Sequence, residues 1–165
     1  MKKTKKRLPT GQLGEIGENL VVLQALARGA LFAYKLPLGC PEDDVIIQLE
    51  DNRQLRIQVK TRRAGDWQTH YKDHYAESDP NGDGERFWVF VDLKAVDLGR
   101  KSPKFYIMPA GWVENYIHEE QKAYLARRGI TQEQRRSRHW GIKTKAIEQW
   151  RDRWELLELS DVAQF

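Results

Sequence analysis

The chain has 165 residues, 40% of them hydrophobic, with six Trp, six Tyr and five Phe; that is enough for one ordinary domain with a real core and excludes a disordered chain despite 32% charged residues. No apolar run approaches a membrane span and no charged-apolar-small leader opens the sequence. A lone cysteine, Cys40, leaves no internal disulfide and no Cys-based zinc cage, so a soluble, cytoplasmic protein of a reducing compartment is expected.

The net charge of +4 is modest but uneven. Residues 1–7 are nearly all basic, Lys60-Thr61-Arg62-Arg63 holds three cations, and Arg135, Arg136 and Arg138 cluster later. Such clusters suit a phosphate backbone, where affinity comes from neutralised charge and released counterions, and equally serve to solvate a surface. A basic flexible arm (1–10) followed by a single α/β domain (11–165) is expected.

After the arm, Leu13, Ile16, Leu20, Leu23 and Ala27 recur at helical spacing and predict a helix over 13–28, with Thr10 as N-cap and Gly29 as its stop. A short strand is expected over 32–36, broken by Pro37, Gly39 and Pro41. The clearest element is a hairpin over 44–60. Val45, Ile47 and Leu49 alternate on one arm and Leu55, Ile57 and Val59 on the other, with Asp51-Asn52-Arg53 as the turn. A two-residue turn would set Val45 against Gln58 and mix faces; a three-residue turn sets Val45 against Val59 and Ile47 against Ile57. The second register places Asp44 opposite Lys60. Residues 65–86 read as a long polar connection. Strands follow over 87–93 and 105–108, Pro109 opens a helix over 111–127 that Gly129 ends, and Ile147, Trp150, Trp154 and Leu157 share one face of a last helix over 145–157.

Cleaving a phosphodiester requires a cation on the phosphate, an activated water and stabilisation of the charge that develops. Hard ions of the magnesium kind take oxygen ligands, a few from carboxylates and the rest from water and substrate. The hairpin offers the Asp44 carboxylate, the Gln58 amide oxygen, the Val59 backbone carbonyl and the Lys60 ammonium, and the strand period of two puts Gln58 and Lys60 on one face. The same residues would also make an ordinary polar face of a half-exposed hairpin.

Gly17-Glu18 on the first helix, then Asp44-Val45-Ile46-Ile47, then Ile57-Gln58-Val59-Lys60-Thr61-Arg62 resemble the PD-(D/E)XK nuclease superfamily, which includes restriction endonucleases and archaeal Holliday-junction resolvases. The likeness runs from about Gly11 to Arg63. It implies a restriction-endonuclease-like α/β fold, with a central mixed sheet flanked by helices. It also implies metal-dependent hydrolysis of phosphodiester bonds in DNA, with Glu18, Asp44 and Gln58 holding Mg2+ or Mn2+ and Lys60 positioning or activating water. Arg62, Arg63 and Lys60 are the expected contacts to nucleic acid, and a homodimer follows by analogy. Two positions depart from the pattern. Gln58 stands where many relatives have an acid, and Asp43 replaces the Pro before the hairpin Asp, so that Asp43 competes with Asp44 as ligand. Glu15 competes with Glu18, which lies off the main apolar stripe beside Gly14, Val21, Val22 and Ala25. The Gln58 variation keeps two other readings open: a nucleic-acid-binding module without catalysis, and a protein-interaction domain of the same fold.

Several weaker signals have ordinary structural readings. Asp79, Asn81, Asp83 and Gly84 imitate a calcium loop whose twelfth position is Phe90 rather than Glu. His70 and His74 have a metal-binding spacing without a third ligand. Gly11, Gly14 and Gly17 follow no strand, so they allow a close helix approach rather than cradle a phosphate. Trp150 and Trp154 are expected in the core; Trp67 and Trp140, in polar and basic surroundings, are expected at the surface.

Overall fold

A computed structural model describes residues 9–94 and 101–159. The basic arm, apart from its last two residues, lies outside them. The elements in chain order are α1 (Thr10–Ala27), β1 (Phe32–Lys35), β2 (Val45–Gln48), β3 (Gln54–Arg62), β4 (Trp67–His70), a 3-10 turn (Asp73–Glu77), β5 (Arg86–Asp92), β6 (Lys104–Pro109), α2 (Ala110–Arg128), α3 (Gln132–Arg135), β7 (His139–Ile142) and α4 (Thr144–Ile147). Two further 3-10 turns, Glu148–Trp150 and Trp154–Leu157, follow. The central sheet has the order β1-β2-β3-β5-β6, with β3 and β5 parallel and the other neighbours antiparallel. It is the mixed sheet flanked by helices that the resemblance implied. Among the described residues no helix is long and apolar enough to cross a membrane.

The two faces of this sheet bury two clusters. One holds Val45, Ile47, Leu55, Ile57, Val59, Val89, Val91, Phe105 and Ile107 beneath α1 and Trp154. The other holds Trp88, Phe90, Tyr106 and Met108 beneath α2, Trp67 and Ile142. β5 is buried on both faces from Phe87 to Asp92, which explains its unbroken apolar run beside a parallel neighbour.

α1 corrects the sequence reading in two ways. Pro9 occupies the N-cap and its carbonyl accepts the Leu13 N–H at 3.1 Å, so Thr10 is the first helical residue rather than the cap. The face pressed on the sheet is Gly17, Val21 and Ala25, the small side of the helix. Leu13 and Leu20 only flank the core, while Leu23 is 60% exposed. The reason is close approach: a Cβ on Gly17 would lie 1.8 Å from the Thr61 hydroxyl oxygen and 2.9 Å from its Cβ. Only small side chains let the helix sit that near the sheet. Gly11 and Gly14 show no such crowding.

The hairpin keeps its expected parity but slips by two residues. Val45 pairs with Ile57 and Ile47 with Leu55. The connection is still three residues, now Glu50 to Asn52: the Leu49 N–H donates to Arg53 O at 2.9 Å, and the Asn52 N–H to Leu49 O at 3.0 Å. Asn52 takes the left-handed conformation, φ 68°, which Asn tolerates better than most residues, and the Asp51 carboxylate accepts the Arg53 N–H. Both registers align apolar with apolar; turn chemistry decides between them.

Residues 65–86 are not a plain connection. They contain β4, which pairs with β7 in a two-stranded ribbon, and the 3-10 turn at Asp73–Glu77. Nor is 145–157 one helix. It breaks at Arg151, which bridges to Tyr106 at the edge strand β6. Ile147 and Trp150 therefore join the cluster on one face, and Trp154 and Leu157 the cluster on the other.

Candidate active site

β2 begins at Val45, but its partner β3 runs on past the Val45–Ile57 pair to Arg62. The Val59 N–H therefore meets no β2 backbone. The Asp44 carboxylate fills that place, accepting the Val59 N–H on Oδ2 at 2.7 Å while the Asp44 N–H donates to Ile57 O at 2.9 Å. This pins Asp44 opposite Gln58, not opposite Lys60 as the expected register had it. Gln58 and Lys60 lie together on the face of β3 that carries Trp88 and Phe90 across the parallel ladder.

Electrostatics mark the same spot. Burial pushes the Asp44 carboxyl above its ordinary value; the Val59 N–H and Lys60 oppose the shift, and Glu18 and Asp43 add to it. Burial likewise pulls the Lys60 ammonium below its ordinary value, against Asp44 and with help from Lys72. The Lys60 Nζ lies 5.6 Å from the centre of the Trp88 ring. A half-buried carboxylate that holds its proton too tightly and a half-buried amine that holds its own too loosely are poised for a cation and for proton transfer.

Glu18 approaches from the opposite face, carried by the α1–β3 contact at Gly17 and Thr61. Its carboxylate lies 3.1 Å from Lys35 Nζ, which also pairs with Glu15. Asp43 is half-buried next to Asp44, and its charge is felt there.

Among the described residues no three His, Cys, Asp or Glu side chains gather tightly enough to hold a metal alone. The oxygen donors present, the half-buried Asp44 carboxylate with a strengthened hold on protons and the Glu18 carboxylate whose charge reaches it, with Gln58 across the ladder from Asp44, suit by their chemistry a magnesium-like ion that keeps several waters and takes substrate oxygens.

The expected contacts to nucleic acid divide. Arg63 is exposed. Arg62, expected at the nucleic acid, is 7% exposed and engaged inside the fold: Nη1 donates to Gly65 O at 2.9 Å, Nη2 to Asp92 at 2.5 Å and to Thr144 Oγ1 at 2.7 Å, and the guanidinium lies 3.5 Å from the Trp67 ring centre. Trp67 is correspondingly 1% exposed and Trp140 half-buried, against the expectation that both sit at the surface. His70 and His74 fall in different elements, and His70 instead faces His139, ring centres 4.2 Å apart. The Asp79–Asp83 loop uses its carboxylates on backbone N–H groups of Asn81, Glu85 and Arg86.

Sequence reasoning missed two neighbours of the site. Lys72 donates to Glu42 at 2.6 Å and raises the local positive potential felt by Lys60 and His70. Glu42 sits at φ 76° just before Asp43, and the Lys72 hydrogen bond holds its carboxyl below the ordinary value. The acidic run Glu42-Asp43-Asp44 was the available signal.

No protein-family model and no curated protein matches the chain. Among solved structures, it is similar to a bacterial homing endonuclease at 17% identity, with a TM-score of 0.53 over 92% of this chain and 95% of the other. A second similar structure is the Holliday junction resolvase of Archaeoglobus fulgidus, 18% identical, with a TM-score of 0.37 over 58% of this chain and 71% of that one. At such identity the likeness to the homing endonuclease is one of architecture: the chain has a restriction-endonuclease-like fold, a mixed central sheet flanked by helices.

Proposed function

We propose that the protein is a metal-dependent nuclease that hydrolyses phosphodiester bonds in DNA. The observation that carries the reading is the Asp44 carboxylate locked on the Val59 N–H beside Gln58 and Lys60. Asp44, Gln58 and Glu18 would hold Mg2+ or Mn2+, which when bound supplies charge neutralisation at the scissile phosphate. Lys60, its proton loosened by burial, would orient and deprotonate the attacking water and then face the growing negative charge. Trp88 and the surrounding buried wall limit bulk water around that ammonium, which strengthens its effect on the phosphate. DNA is favoured over RNA as substrate. A homodimer would allow both strands to be cut, and the single exposed Cys40 suits a reducing, cytoplasmic setting.

A second reading, a DNA-binding module without catalysis, is favoured by two observations: Gln58 supplies no charge, and Lys35 already engages Glu18.

Cleavage of linear, nicked and branched DNA with magnesium or manganese tests these readings, using the native chain, Lys60→Ala and Asp44→Ala. The expected result is cutting by the native protein and loss of roughly two to four orders of magnitude in rate with Lys60→Ala, at retained binding. Equal binding by all three without cutting would overturn the catalytic reading in favour of the binding module.

A further inference from the structure

The β4–β7 ribbon has an inner and an outer face that differ sharply. Inward go Trp67, Thr69 and Ile142, buried, with Trp140 half-buried. Outward go Gln68 and His70 from β4 and His139 and Gly141 from β7, all exposed. An isolated two-stranded ribbon is marginal in water. This one is fixed. Trp67 packs 5.3 Å from Phe90 and 5.4 Å from Tyr106, and Arg62 caps its ring while bonding Thr144 just beyond β7. Arg62 is two residues after Lys60 on the same strand face, so the ribbon is tied to the candidate catalytic strand. The charges of Lys60 and Lys72 reach His70.

We infer that this outer face enters the major groove of duplex DNA and reads base edges next to the scissile phosphate, a role that rests on the DNA-nuclease reading of the site. Four lines support it. The first is chemical: the face carries one amide and two imidazoles, with the Asp66 carboxylate beside Gly141, and no apolar side chain. Gln can pair bidentately with adenine N6 and N7, and imidazole N–H groups can donate to purine N7 or O6.

The second is shape. Two strands about 4.8 Å apart and four residues long, about 13 Å, match a groove about 12 Å wide that admits a β-ribbon.

The third is charge. Residues 134–147 contain five cations and no acid. Exposed Arg136 stands beyond the His70–His139 end, and exposed Lys143 and Arg63 at the Trp67–Ile142 end. The strip carries one carboxylate, Asp66, whose Oδ2 stands 3.5 Å from where a Cβ of Gly141 would lie and can accept from a cytosine N4 amine; the cations at both ends suit the two phosphate chains that border the bases.

The fourth is Gly141, paired with Gln68. Its φ is not positive, and a Cβ there would meet nothing nearer than Asp66 Cβ at 3.4 Å. Neither backbone conformation nor internal packing requires a glycine. Close approach of an external partner to the ribbon backbone does.

The test is selection from a randomised duplex pool by the full-length chain without divalent metal, so that binding is read apart from cleavage. Variants are Gln68→Ala, the double His70→Ala/His139→Ala, Gly141→Ala and the double Arg136→Ala/Lys143→Ala. The native chain is expected to enrich defined base pairs. The first three variants should lose about tenfold to a hundredfold of discrimination at one or more of those pairs, with affinity for unselected DNA retained. Arg136→Ala/Lys143→Ala should weaken binding to all sequences alike and flatten the salt dependence by about one to two released counterions. Unchanged melting temperatures keep these effects apart from misfolding; Gly141→Ala, which has room for its methyl, is the safeguard if the histidine double variant melts early. Binding by the native chain without preference for any base pair, or variants that keep the native preference, overturns the ribbon's role and leaves the nuclease reading standing. Failure of the native chain to bind duplex DNA overturns the ribbon's role; the nuclease reading falls with it only if linear, nicked and branched DNA also go uncut with magnesium or manganese.

Discussion

Replacing Arg62 with alanine separates a phosphate contact from an internal strut. The side chain is 7% exposed, and its guanidinium satisfies Asp92, Gly65 O and Thr144 while covering the Trp67 ring. Truncation leaves the Asp92 carboxylate, itself 9% exposed, without its cation. Losing one partner of a buried pair typically costs about 3–5 kcal/mol, well above the 0–1 kcal/mol of a surface ion pair. The exposed Trp67 face adds to that, since β4 has few other anchors. Stability should therefore fall by roughly 3–5 kcal/mol in urea unfolding. Arg62→Lys should recover only part of it, because an ammonium cannot reach Asp92, Gly65 and Thr144 while lying flat on an indole. Arg63→Ala, on the exposed neighbour, should leave stability within about 0.5 kcal/mol and weaken DNA binding instead. If Arg62→Ala keeps the native unfolding midpoint and loses DNA affinity, the strut reasoning is wrong and Arg62 is a phosphate contact after all.

Other expected outcomes follow from the same geometry. Gly17→Ala gains up to about 1 kcal/mol of helix propensity but forces a methyl into Thr61, an overpacking cost of about 1–3 kcal/mol; activity should fall more than stability as Glu18 is carried outward, with partial rescue in Gly17→Ala/Thr61→Ala by double-mutant cycle. Equal activity in Gly17→Ala would detach Glu18 from the site. Asp44 has a raised folded value, so its ionisation opposes folding as pH climbs from the ordinary carboxylate range through that value; Asp44→Asn should melt higher than native at neutral pH without metal, and magnesium should raise the native melting temperature but not the variant's. Asp92 has a folded value below the ordinary one, held there against burial chiefly by Arg62, so its contribution is present above the unfolded carboxylate range and is lost as pH falls through the folded value. Acid titration of stability should be steeper in the native chain than in Asp92→Asn; coincident curves would refute that assignment.

Much of the front half was legible because its signals are local. The period of two assigned Gln58 and Lys60 to one face, and parity excluded every odd register of the hairpin. Parity could not choose between registers two apart, and the left-handed Asn52 did. The buried face of α1 was misread because leucines outweigh small residues in any apolar pattern, whereas packing distance at Thr61 favours Gly17, Val21 and Ala25. β4 and β7 were invisible for another reason: Thr69 and Trp140, joined by a 2.8 Å hydrogen bond, are 71 residues apart, and four-residue strands leave almost no periodicity. The last segment looked helical because its apolar residues fall three or four apart, yet it crosses an edge strand and serves both cores.

The two-residue slip also decides what chemistry the hairpin can support. In the expected register Asp44 would face Lys60 directly, and a close ion pair would favour the charged amine and the charged carboxylate together. In the observed register Asp44 faces neutral Gln58 and spends one oxygen on the Val59 N–H, so burial prevails at both groups and shifts them toward neutrality. A carboxylate shifted that way gains by taking a cation, and an amine shifted that way gives up its proton more readily than a free lysine. Both conditions come from the stagger between a four-residue β2 and a nine-residue β3, which leaves one backbone donor unpaired where Asp44 can reach it. The same overhang carries Lys60 and then Arg62 at alternate positions, so one strand face aligns the Lys60 amine with the strut of the ribbon. The position of the ribbon beside Lys60 and the burial that loosens the lysine proton therefore share a single cause, the length mismatch of two paired strands.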